Sequence, residues 1–327
     1  MKSEENGLNS DWNNGGSVHM EKTLVHKREK WQSFFRGLVL NRHYYFMLAP
    51  FFILFFIFTV APIISSVFIS LTDFNMIQSP KLVGLSNYFR LFLNDDVFLT
   101  AIRNTVAIAL VAGPISYLAC WLIAWQVNEF GSGLRTLFTL VFYIPSMTAS
   151  AIEMWRYFFS SDSYGLVNAW LFKLGFLKQP VEWLTNPNIN LSVIIGITIW
   201  LSLGVPFLAF VAGLQTLDRS LFESGAIDGI RNRWQEMWFI TLPQMKPQLM
   251  FGAVMQIAAS FSVASIPMSL TGFPSINYST HTVISHVIDF GNYRYEMGYA
   301  CAISTVLFIM IILAKRLLTA FLNRVGT

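Results

Sequence analysis

The chain has 327 residues, 54% of them hydrophobic and 12% charged, with a net charge of +4. Soluble domains carry about 25% charged residues, so a body solvated mainly by water is excluded, and so small a positive excess speaks to membrane topology rather than to nucleic acid. The two cysteines, Cys120 and Cys301, each lie in an apolar run and supply no disulfide framework, zinc spacing or redox motif.

Residues 1–43 read as an N-terminal tail. Up to about residue 22 it is rich in Asn, Ser, Gly and acidic side chains and has little to bury, which predicts disorder. No cleavable signal is expected, because mostly polar sequence precedes the first apolar run. Residues 27–42, KREKWQSFFRGLVLNR, mix basic and aromatic side chains and read equally as a short interfacial helix or as a basic flank.

From residue 44 to 327 the pattern is that of an all-α membrane domain with six transmembrane helices. The apolar runs are 44–70, 104–127, 134–159, 191–214, 249–270 and 297–321. Each exceeds the roughly 20 residues of helix that a hydrocarbon core requires. Pro50, Pro62, Pro114, Pro145, Pro206 and Pro267 fall inside them and are expected to kink them. With the N-terminus inside, 15 of the 22 Lys and Arg residues are cytoplasmic. That asymmetry favours both termini in the cytoplasm of a multi-pass protein.

Three segments are then expected outside. Residues 72–103 contain VGLSNYFRLFLND. Residues 160–190 contain YGLVNAWLFKLGF, in which Leu166, Val167, Trp170, Leu171 and Leu174 share a helical face, as in a lid lying on the outer surface. Residues 271–296 contain TGFPSINYST and are followed by MGYACA.

Familiar catalytic patterns are missing. There is no G-x-x-x-x-G-K-[S/T], no H-E-x-x-H and no G-x-S-x-G, so the chain is not expected to be an enzyme or to bind a nucleotide or metal itself. His281 and His286 are expected to be a solvated or hydrogen-bonded pair rather than metal ligands. Glu153 is the one carboxylate well inside an apolar run; it reads as a cavity-facing group or as an i,i+3 partner of Arg156.

The most informative interval is 217–248, LDRSLFESGAIDGIRNRWQEMWFITLPQMKPQ, which falls between the fourth and fifth runs. Taken by itself it is a short helix, a glycine break and a second helix. Asp218 or Ser220 can cap the first helix, Glu223 is placed in its first turn, and Gly229 supplies a residue able to turn at positive φ. Pro243 and Pro247 set the angle of re-entry into the membrane.

This interval resembles the EAA loop of binding-protein-dependent ABC importer permeases, E-A-A-x-x-D-G-A followed by I-x-L-P. Glu223, Asp228, Gly229, Ile240, Leu242 and Pro243 match; Ser224 and Gly225 replace two alanines, Ile230 replaces a third, and the spacer is one residue longer. The segments around VGLSNY and GYACA are similar to those of maltose-type sugar permeases, and the run ESGAIDGIRNRWQEMWFITLPQMKPQLMFGAVMQ resembles in particular those for complex oligosaccharides. The resemblance implies the type I permease fold in a bacterial inner membrane. It also implies Glu223, Ala226, Asp228, Gly229, Leu242 and Pro243 as the surface coupled to the ATPases.

The partners it implies are a second permease subunit, two ABC ATPase subunits that carry the ATP and magnesium, an extracytoplasmic solute-binding protein and a saccharide. For the substrate path it implies Ser146, Ser150, Glu153, Trp200, Gly204, Phe207 and Ser260. Ala264 falls where maltose-type proteins have an amide side chain. Each path residue has a plain reading as helix packing. A gradient-coupled secondary transporter is the competing class, and Glu153 would be its only intramembrane carboxylate.

Overall fold

A computed structural model describes residues 41–148 and 150–325. The tail up to residue 40, and with it most of the interfacial segment expected over 27–42, lies outside the described residues. The chain divides into two compact units at Ser65 and Ser66.

The first unit, from residue 41, is the greater part of helix α1 (Arg42–Ile69). Its phenylalanines stack along the helix, Phe51 on Phe55 with centroids 6.0 Å apart. A single π-turn at Phe56–Val60 sits just before Pro62. Proline cannot donate to the carbonyl one turn back, and a wider turn absorbs that mismatch. No residue from Arg42 to Val60 is buried. Apolar side chains all round such a helix suit a hydrocarbon surface.

In the second unit, every hydrophobic cluster contains residues of α3 (Asp96–Asn128). This helix begins eight residues before the apolar run expected at 104. The reason is local: Asp95 caps it by accepting from the Phe98 N–H at 2.9 Å. It also continues unbroken through Pro114.

The other elements are arranged around it. β1 (Thr72–Asp73) pairs antiparallel with β2 (Lys81–Leu82), and α2 (Ser86–Leu93) follows. α4 (Ser132–Met147) and α5 (Ser150–Phe158) meet at 87° and together replace the expected third span. α6 (Leu166–Lys173) leads to α7 (Asn190–Leu201) and α8 (Val205–Gln215), one span broken at Ser202–Gly204, with Pro206 in the first turn of α8, where its missing N–H has no partner to lose.

Beyond the loop helices α9 (Arg219–Ile227) and α10 (Arg233–Glu236) come α11 (Lys246–Phe261) and α12 (Ser265–Thr271), also one broken span. α13 (Val283–Ile288) and α14 (Met297–Val325) complete the chain. Among the described residues, five helical spans are long and apolar enough to cross a membrane, and there are six when the bent α4–α5 pair is counted as one span. Glycines let the helices approach closely: a Cβ on Gly252 of α11 would lie 2.5 Å from the Phe210 ring of α8.

The VGLSNY segment is explained by packing. Asn87 Nδ2 donates to the carbonyls of Ser70 (2.8 Å) and Thr72 (3.0 Å), and the Tyr88 hydroxyl pairs with Ser70 Oγ at 2.7 Å. Gly298, in the GYACA segment, lies so close to the Thr72 carbonyl that a Cβ would collide with it, and its N–H donates to Phe74 O at 2.9 Å.

The segment expected as an outer-surface lid contains the helix α6. Trp170 and Leu174 are 71% and 64% exposed, and the buried side chain is Asn168. Its amide donates to the carbonyls of Ser160, Asp162 and Val181 and accepts from Val181 N and Trp183 Nε1. Asn168 thus satisfies the loop carbonyls around this helix.

Candidate functional site: the return loop and the broken-span cavity

Two features are candidates for function. The first is the return loop between α8 and α11. Asp218 caps α9, accepting from Ser220 N at 2.9 Å, and that backbone bond holds its carboxyl below the usual range. α9 then ends in a Schellman arrangement: Ile230 N donates to Gly225 O at 2.9 Å and Gly229 N to Ala226 O at 3.3 Å, with Gly229 at φ +94°. A residue with a side chain is strained at that φ.

Gly225 is the buried residue of α9; a Cβ there would lie 2.7 Å from Ile240 Cδ1 and 3.1 Å from Ile230 Cδ1. This packing leaves Glu223, Ala226, Asp228 and Gly229 exposed on one projecting turn, with Ile227 86% exposed beside them. Glu223 is the fifth residue of α9, not in its first turn, because the helix starts at Arg219 directly after the Asp218 cap. No side-chain partner within the chain is recorded for its carboxylate among the described residues.

Past the turn, Asn232 caps α10, and Arg233 forks between Glu129 at the end of α3 (3.0 Å) and Glu236 (2.8 Å). A π-turn, Met237–Thr241, delivers Leu242 against the core, while Pro243 stays exposed.

The second feature is a cavity of about 670 Å³ at the break between α11 and α12. It is lined by Ser262, Ala264, Ser265, Met268, Ser269, Phe273, Ile288 and Tyr293. Ser262, Ser265 and Ser269 recur at helical spacing, and none of the three hydroxyls has a recorded hydrogen bond within the chain among the described residues. Free hydroxyls beside the Phe273 and Tyr293 rings suit a ligand with polar rims and apolar faces. Among the described residues, no Lys, Arg, Asp or Glu lines the cavity.

The path residues expected from sequence divide into two sets. Ser146 and Gly204 come together, a Cβ on Gly204 lying 3.6 Å from Ser146 Cβ, and Ser146 Oγ donates to its own helix at Tyr143 O. Ser150 is exposed at the start of α5, and Trp200 is half exposed with its ring edge-on to Trp155. Glu153 pairs with Arg156 at 3.0 Å, both more than half exposed.

Phe207 and Ser260 are core residues instead. Phe207 is fully buried against Phe142, and Ser260 is 3% exposed with its hydroxyl on Gln256 O, beside Gly113 of α3. The serine ladder at 262–269 was not anticipated, although its 3-and-4 spacing was readable in SFSVASIPMS. His281 and His286 form a direct hydrogen-bonded pair at 3.1 Å. Among the described residues, no group of three or more His, Cys, Asp or Glu is placed to hold a metal.

Residues 115–327 match the model of the family described as "Binding-protein-dependent transport system inner membrane component". The chain is 31% identical over 273 residues to the probable ABC transporter permease protein YesP of Bacillus subtilis (strain 168), covering 82% of this chain and 86% of that one. It is 30% identical to the arabinooligosaccharides transport system permease protein AraP of the same organism, over 92% and 94% of the two chains. The lactose transport system permease protein LacF of Rhizobium radiobacter is 30% identical, over 83% and 92%. Among solved structures, a chain of a bacterial ABC transporter involved in import of the acidic polysaccharide alginate superposes with a TM-score of 0.65 at 25% identity, covering 87% of this chain and 97% of that one. A chain of an alginate ABC transporter in complex with a pentasaccharide-bound periplasmic protein superposes with a TM-score of 0.71 at 23% identity, over 89% and 98%.

Proposed function

The chain belongs to the family of binding-protein-dependent transport system inner membrane components, and from that premise we propose that it is one of two permease subunits of an ATP-driven oligosaccharide importer. It is a multi-pass membrane protein and a non-catalytic subunit. The saccharide class rests on the arabinooligosaccharide, lactose and alginate transporters it is similar to.

The observation that carries the coupling role is the projecting turn of α9. An exposed Ile227 next to Glu223, whose carboxylate has no side-chain partner among the described residues, suits a groove on another subunit. In this reading both termini and the return loop are cytoplasmic, and two ABC ATPases seat the turn bearing Glu223, Ala226, Asp228 and Gly229. ATP and magnesium reside on those ATPases. Leu242 and Pro243 link the turn back to the spans. Closure of the ATPases pushes α9 against Ile240, and the permease pair opens towards the binding protein, which releases its sugar.

Ser146, Ser150, Trp200 and Gly204 line the path on one side of this subunit, and the Ser262–Ser265–Ser269 ladder lines it on another. Glu153, which a gradient-coupled carrier would need, is neutralised by Arg156. Purification through a tag on this chain tests the proposal: ATPase subunits with vanadate-sensitive hydrolysis should co-elute. A chain that purifies without them would contradict it.

A further inference from the structure

We propose that Asp95, His286 and His281 are positioning residues that hold the aromatic wall of the cavity, Phe273 and Tyr293, and that acid releases that wall; its bearing on transport rests on the cavity being the saccharide surface.

The three side chains form one line, with both histidines buried and Asp95 partly exposed. His286 Nε2 lies 3.0 Å from Asp95 Oδ2, and His286 Nδ1 lies 3.1 Å from His281 Nε2. The two histidines, His286 and His281, are 1% and 3% exposed. With both rings neutral, one arrangement of protons satisfies both contacts: His286 Nε2–H donates to the carboxylate, and its bare Nδ1 accepts from His281 Nε2–H. Asp95 is fixed in turn by the Phe98 N–H on Oδ1 and by the Tyr299 hydroxyl on Oδ2 at 2.7 Å. Burial opposes its charge, yet these hydrogen bonds, led by that of His286, hold its carboxyl well below the ordinary range.

At the far end of the line the His281 ring stacks on Phe273, with centroids 5.9 Å apart and planes at 23°. Phe273 meets Tyr293 at 5.3 Å, and both rings face the cavity. The line therefore runs from the cap of α3 to the cavity wall.

The charged and titratable groups around the pair show what a proton would do. Asp289 and Arg294, at the end of α13, are paired to each other at 2.7 Å. Tyr278 sits edge-on to His281. Around Asp95 stand Tyr299 and, beyond it, Arg90 and Glu296, again paired to each other. A proton on His281 is thus a whole imidazole away from the Asp95 carboxylate, with the nearer acid already neutralised.

Burial, reinforced by His286, lowers His281 to about 4. An exposed imidazole titrates near 6.5. The stability that the neutral, stacked arrangement contributes is therefore whole above about pH 6.5 and declines below it, and the folded ring itself takes up its proton as pH approaches 4, because water is the better partner for the charged ring.

The test places 4-fluorophenylalanine at position 273 in the purified permease–ATPase complex and follows its ¹⁹F resonance from pH 8 to pH 4. The resonance should stay level down to about pH 5 and shift below it, as the ring titrates towards its value of about 4, and His281→Phe, which keeps an aromatic stack but cannot titrate, should leave it flat. A flat wild-type resonance, or a titration that survives in His281→Phe, would overturn the positioning role. The cavity reading fails separately: Phe273→Ala with undiminished binding-protein-stimulated ATP hydrolysis at pH 7.5 would contradict it while the resonance still titrates.

Discussion

Gly225 packs directly against Ile240, which seats α9 on the π-turn leading to α11. A Cβ at position 225 would lie 2.7 Å from Ile240 Cδ1, the flexible tip of that side chain. Gly225→Ala is therefore expected to cost little, since a methyl tip can rotate away. Gly225→Leu should overpack the joint by about 1–3 kcal/mol. Limited proteolysis of the loop checks this: the Leu variant should be cut near residues 229–233 much faster than the Ala variant.

Gly252 plays a similar part between spans, but its neighbour cannot yield. The Phe210 ring is fully buried, and a Cβ would lie 2.5 Å from its tip. Gly252→Val should destabilise the α8–α11 contact by about 1–3 kcal/mol. Thermal unfolding in detergent should show a lowered Tm for this variant, with Gly196→Ala, where a Cβ meets nothing within 4 Å, as the silent control.

Asn168 gathers five hydrogen bonds from the segment around α6. Asn168→Leu keeps the volume and removes every partner. Unpaired buried polar groups cost about 1–3 kcal/mol, so faster hydrogen exchange confined to residues 160–185 is the expected outcome. Exchange unchanged there would show that the amide is not the hub.

The serine ladder and Ser260 should behave in opposite ways. Ser265→Ala with Ser269→Ala removes hydroxyls that have no internal partner and should cut transport in proteoliposomes about tenfold at unchanged complex stability, the equivalent of about 1.4 kcal/mol. Ser260→Ala should leave transport near wild type while costing about 0.5–1.5 kcal/mol of stability through its bond to Gln256 O.

Much of this was legible in the sequence. Apolar run length gave the spans to within a few residues, except where a polar cap moved a start: Asp95 carries α3 back past the hydrophobic boundary. The turn at Gly229 was readable because glycine at a helix end has one dominant use. Contacts between distant segments were not readable. Nothing local distinguishes Phe207, packed on Phe142, from a path-lining aromatic, or Ser260, seated on Gly113, from the free serines a few residues on. The Asp95–His286 contact joins residues 191 positions apart, and the run of Leu and Trp in α6 concealed Asn168.

The central claim is that the α9 turn couples ATP hydrolysis to transport, and one measurement bears on it most directly. Glu223 lies beyond the first turn of α9, so Glu223→Lys should alter the helix-dipole energy by less than the roughly 0.3–1 kcal/mol of a terminal position. Gly229→Val places a β-branched residue at φ +94°, at a cost of at least about 1–2 kcal/mol, and redirects the chain. ATP hydrolysis by the reconstituted complex should be measured with and without loaded binding protein for both variants. Both should insert and pair with the second permease, yet lose stimulation by the binding protein or lose the ATPases altogether. Wild-type stimulation and uptake in both variants would reduce the loop to a connector between α8 and α11 and contradict the account.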